Sequence, residues 1–70
     1  MEKEITIIVN GFPEKVPEGS TISHIIDLLG EGHKDLVTEL NGRFVNARDY
    51  ESIVVTEGAR IEFILAAFGG

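Results

Sequence analysis

Asn-Gly occurs twice in this chain, at Asn10-Gly11 and at Asn41-Gly42, and each pair sits beside a run of apolar residues. Both central positions of a type I′ turn need positive φ, and asparagine and glycine tolerate it, so the pair is the strongest short-range signal for a hairpin. The chain is thereby predicted to double back on itself at two places. In residues 3–9, Ile5, Ile7 and Val9 fall on one face of a strand and Glu4, Thr6 and Ile8 on the other. Residues 12–16 return antiparallel to it, and Pro13 suits an edge strand because it has no N–H to give to a ladder. Residues 36–40 and the short segment 43–45 form the second pair.

Between the two hairpins the period changes. Pro17-Glu18-Gly19 ends the second strand, Ser20 or Thr21 can cap a helix, and Ile22, Ile25, Ile26 and Leu29 recur at helical spacing. Gly30 and Gly32 end the helix. This helix is short and rich in β-branched residues, so its stability has to come from laying that stripe on a sheet. Residues 48–52 read as an irregular turn, Ile53 and Val54 as a return to the core, Glu57-Gly58 as another turn, and residues 60–66 as the last strand. The order is ββαβ(β)β in one domain, residues 1–70, without repeat or linker. The last strand is most simply placed beside the first, parallel to it, in the centre of the sheet. The predicted class is α+β: a ubiquitin-like roll, with a mixed sheet of four to five strands and one main helix on one face. Ile61, Phe63 and Leu65 then join Ile5, Ile7 and Val9 beneath the helical stripe. The opposite face receives Ile8, Ile64 and Ala66, with Phe68 continuing that line.

Size and composition narrow the functions open to such a roll. Seventy residues bury only about 60% of their extended surface, which leaves little space for an internal catalytic cavity. The chain has no cysteine, hence no disulfide, no thiolate metal site and no thiol nucleophile. Its formal charge of −6 repels phosphate backbones and anionic lipid, so neither nucleic acid nor membrane is an expected direct partner, and a basic protein surface is. Met1-Glu2-Lys3-Glu4 lacks the features of a signal peptide, and the apolar runs are too short to span a bilayer. The expected compartment is cytoplasmic.

The chain ends on Gly69-Gly70. At an average glycine usage of about 7%, two final glycines arise by chance in only about 0.5% of chains. Glycine has no Cβ, so such an end can thread a narrow channel and present its carboxylate to another protein's chemistry. Other polar groups read as ordinary surface. His24 and His33 have no partner at metal-ligand spacing, Asp27 and Glu31 form a solvated helix face, and Gly30 to Gly32 lacks the Lys-Ser/Thr of a phosphate loop. Ile8 and Ile64, with Ala66 and Phe68, are read as a docking patch.

The whole chain resembles the small sulfur carriers of the β-grasp fold, and most closely the ThiS type. The resemblance is carried by the first hairpin, Ser20-Thr21-Ile22 opening the helix, Leu40-Asn41-Gly42-Arg43-Phe44-Val45, the turn with Arg48 and Tyr50, Glu57-Gly58-Ala59-Arg60-Ile61-Glu62-Phe63, and the Gly-Gly end. It departs from the family pattern in three places. Asn46-Ala47-Arg48 stands where Pro-Arg is frequent, Gly58-Ala59 where Gly-Asp is common, and bulky Phe68 where smaller apolar residues are usual.

The resemblance implies a protein that is a co-substrate and not an enzyme, in thiamin (thiazole) biosynthesis. The Gly70 carboxylate would be adenylated by a ThiF/MoeB-like enzyme, converted to a thiocarboxylate with sulfur from a donor such as a cysteine desulfurase, and used to deliver that sulfur to a ThiG-like thiazole synthase. ATP and magnesium would belong to the activating enzyme, and this chain would bind no cofactor or metal itself. Gly69 would give clearance, and Phe68, Ala66, Ile64 and Ile8 would contact the partner. Two other readings share the fold and terminus: the small subunit of molybdopterin synthase (MoaD-like), and a ubiquitin-like modifier joined through Gly70 to lysines.

Overall fold

Asn10 and Asn41 both adopt positive φ, 50° and 51°, and Gly11 and Gly42 follow at 86° and 83°. The two expected turns therefore form in the computed structural model, which describes residues 3–30 and 36–65. The first joins β1 (Glu4–Val9) to β2 (Phe12–Pro17), and the second joins β3 (Leu36–Leu40) to β4 (Arg43–Val45). The single α-helix among the described residues, α1 (Ile22–Leu29), lies between the pairs, and β5 (Arg60–Leu65) closes the order. The five strands make one sheet in the order β2-β1-β5-β3-β4. β5 runs parallel to β1 and antiparallel to β3. This is the β-grasp arrangement, with the last strand in the middle.

Local chemistry explains the helix ends. Thr21 has extended backbone and its side chain accepts a hydrogen bond from the His24 N–H at 3.1 Å, so the N-cap is Thr21. Gly30 closes the other end in the left-handed region at φ 71°, where a glycine carries no Cβ penalty. Ile22, Ile25 and Ile26 are buried, and Leu29 packs against the same cluster. They meet Ile5, Ile7 and Val9 of β1, Val16 of β2, Val45 of β4 and Ile61 and Phe63 of β5. Each fully buried isoleucine contributes about 1.5–3 kcal/mol by leaving water, which is how an eight-residue helix too short to stand alone is held.

β2 is an edge strand, and Pro13 within it pairs opposite Ile8 without interrupting an inner ladder. One core assignment is corrected. Val54 does not enter the core; it is 52% exposed, and Val55 is the buried residue at 3%. The stretch is extended and tied to the start of the helix. The Ile22 N–H donates to Ile53 O at 3.1 Å, the Val55 N–H donates to Ser20 O at 3.0 Å, and Thr21 bridges Val54. An extended segment alternates its faces, so with Ile53 packed against the core the next inward position is Val55. A 3-10 turn at Ala47–Asp49, capped by Asn46, occupies part of the irregular stretch. Gly32, His33, Glu31 and the side chain of Leu65 lie outside the described residues.

Candidate functional site

β5 carries the chain toward its terminus, and its position is fixed from both sides. On the β1 side, the Ile8 N–H donates to Ala59 O and the Asn10 N–H to Ile61 O, both at 2.9 Å. On the β3 side, pairing runs from Leu40 with Ile61 to Leu36 with Leu65. Side chains complete the ends of these ladders. Glu57 Oε1 accepts the Thr6 N–H at 3.0 Å, Asn41 Oδ1 accepts the Arg60 N–H at 2.9 Å, and Asn10 Oδ1 accepts the Phe63 N–H at 2.8 Å. β5 is thus held on both flanks, and five residues, 66–70, follow its end at Leu65. Ala66, Phe68, Gly69 and Gly70 lie outside the described residues.

The sheet face away from the helix is set by strand alternation. β5 places Arg60, Glu62 and Ile64 there, and Ile64 is 46% exposed. Its direct neighbour on β3 is Val37, half-buried. Glu62 stands opposite Glu39, and Glu39 stands opposite Phe44 of β4, which is 67% exposed. Ile8 of β1 shares the face but pairs with Arg60, four positions before Ile64, or about 13 Å along the strand. The fold therefore sets Ile64 beside Val37, on one face with Phe44, and leaves Ile8 at the other end of the strand. Val37 and Phe44 are absent from the patch expected from sequence. A two-residue turn at Asn41-Gly42 pairs residue 40 with 43, and so 39 with 44, and counting that register would have found Phe44.

Glu39 and Glu62 place two carboxylates directly opposite each other between apolar Ile64 and Phe44, with the Arg60 cation on the same face. An open depression of about 240 Å³ lies there, lined by Glu39, Gly42, Arg60, Glu62 and Ile64. A second, of about 330 Å³, runs along Pro17 to Thr21 and reaches His24 at the start of the helix. Ser20 at its floor is buried, and its hydroxyl is already used, donating to Pro17 O at 2.6 Å. His24 and Asp27 are exposed. Among the described residues no three His, Asp or Glu side chains gather as a metal site, and no helix is long and apolar enough to cross a membrane. The features suited to another protein are a charged and apolar sheet face and a firmly held strand leading to the terminus.

Comparison with known proteins agrees with this layout. Among curated proteins no match is found. A crystal structure of a thiamine biosynthesis protein (ThiS) from Geobacter metallireducens superposes with a TM-score of 0.84 at 25% sequence identity, covering 94% of this chain and all of that one. The sequence profile of the ThiS family matches residues 3–70, from the residue before the first strand to Gly70, and by that match the chain belongs to the ThiS family.

Proposed function

We propose that this protein is a sulfur carrier of thiamin biosynthesis and that its reactive group is the main-chain carboxylate of Gly70. The observation that carries the reading is the reach of the family match, which includes Gly69-Gly70 along with the whole β-grasp scaffold. The chemistry suits a chain without cysteine. A carboxylate is a poor acyl donor because oxide is a hopeless leaving group. Attack of the Gly70 carboxylate on the α-phosphorus of ATP forms an acyl-adenylate and releases pyrophosphate. A sulfide or persulfide sulfur then attacks the acyl carbon and expels AMP. With a persulfide, reductive cleavage of the S–S bond by a thiol frees the thiocarboxylate. The ThiF/MoeB-like partner supplies ATP, magnesium and the groups that stabilise the transition state, and a cysteine desulfurase is a suitable sulfur source. The product delivers its sulfur to a ThiG-like thiazole synthase.

In this reading the chain is a co-substrate. Ile64, with Phe44 and Val37 beside it, meets an apolar surface of the partner; Glu39 and Glu62 meet a cation there, consistent with the net charge of −6. Ile8, Ala66 and Phe68 extend the contact, and Gly69 lets the end pass a narrow entrance. The family match favours this role over a molybdopterin-synthase subunit or a protein modifier. Deletion of Gly70 tests it. The shortened chain should fold as before and support no ATP–pyrophosphate exchange by the cognate adenylating enzyme; exchange at the full-length rate would refute the assignment.

A further inference from the structure

Asn10 does more than tolerate a turn. In a parallel ladder in which the Asn10 N–H donates to Ile61 O, the next rung would run from the Phe63 N–H to the backbone carbonyl of residue 10. The hairpin begins at that residue, with φ 50° at Asn10 and 86° at Gly11, and the rung is made by the side chain instead: Oδ1 accepts the Phe63 N–H at 2.8 Å. Asn41 repeats the device on the other flank, its N–H donating to Arg60 O at 2.7 Å and its Oδ1 accepting the Arg60 N–H at 2.9 Å. The two asparagines act at different points along β5. Asn41 holds the first residue of the strand, whereas Asn10 makes the final rung on the β1 side, two residues before the strand ends at Leu65.

We propose that Asn10 is a positioning residue for the C-terminal end, its amide oxygen extending the β1 side of β5 from Ile61 to Phe63 and so holding the last part of the strand, ahead of residues 66–70, from both flanks. The role rests on the reading of Gly70 as the reactive end. Without that oxygen β5 has one neighbour, β3, from residue 62 onward. The last residues of the strand are then held from the β3 side alone, through Leu65, so the end that must reach the partner's active site is less firmly aimed, and the effective concentration of the carboxylate there falls when the sheet face is docked. The adenylation step itself belongs to the partner and is unaffected.

Asn10→Gly keeps the positive φ and removes the acceptor, Asn10→Asp keeps both, and Asn41→Gly removes the equivalent acceptor at the other end of β5. Amide hydrogen exchange of the full chain should show Phe63 exchanging about tenfold faster in Asn10→Gly, the loss of one net hydrogen bond, with Asn10→Asp and Asn41→Gly near wild type at that amide. With the adenylating enzyme, Asn10→Gly should raise KM several-fold at unchanged kcat, and the other two variants should not. Equal Phe63 protection in wild type and Asn10→Gly would overturn the clamp. A KM increase shared by Asn41→Gly would reduce Asn10 to a general structural role. A wild-type chain that no adenylating enzyme activates would overturn the reading of Gly70, while the Phe63 comparison would still decide the clamp.

Discussion

Thr38 sits at the centre of β3 with no exposed surface, and among the described residues its Oγ1 has no hydrogen-bond partner. A buried hydroxyl left unpaired costs about 1–3 kcal/mol, while the methyl group of the same side chain packs like that of valine. Thr38→Val should therefore stabilise the fold by about 1 kcal/mol, visible as a higher urea midpoint at unchanged slope; a lower midpoint would show that the hydroxyl has a partner. This position is illegible in the sequence because its residue type argues for the surface. Thr38 is inward by register alone, opposite Phe63 on one side and Val45 on the other. Val54 illustrates the reverse case: its residue type suggests burial, and only the hydrogen bonds to Ser20 and Ile22 show that Val55 is the inward position.

At the scale of elements, local rules suffice where glycine, asparagine and threonine sit at chain reversals and caps. Both hairpins, the helix and the central last strand are readable because two positive-φ turns, one 3.6-residue stripe and two alternating runs leave few ways to bury the same apolar residues. The helix depends on its cap as well as its stripe. Thr21→Ala removes the acceptor for the His24 N–H and should lower stability by about 1 kcal/mol, whereas Thr21→Ser should restore most of it; thermal denaturation of the pair measures the difference. In a domain whose total stability is on the order of 3.5–10 kcal/mol, that is a sizeable share. The composition of the open face is less legible. Alternation in β5 identifies Ile64, but Phe44 and Val37 come beside it only through pairing with strands distant in sequence.

Taken as a whole, the molecule on the proposed reading divides holding from reacting. The helix-covered face secures the sheet, the open face is free for contact, and the strand that leads to the terminus is the central one. Substitutions on the open face should then separate binding from folding. Ile64→Asp changes a residue 46% exposed, so it should lower stability by only about 1 kcal/mol while weakening association with the adenylating enzyme, as titration calorimetry would record. On the proposed contact Phe68→Asp should likewise weaken association, and wild-type affinity in both variants would show that neither residue takes part in docking.

The central claim is that sulfur is carried on the backbone terminus. Intact-mass and fragmentation spectra of the full chain, after incubation with its adenylating enzyme, ATP, magnesium and a sulfur donor, test it directly. The account predicts the gain of one sulfur for one oxygen, confined to Gly70. An unchanged chain, or one joined through Gly70 to lysines of other proteins, would contradict it.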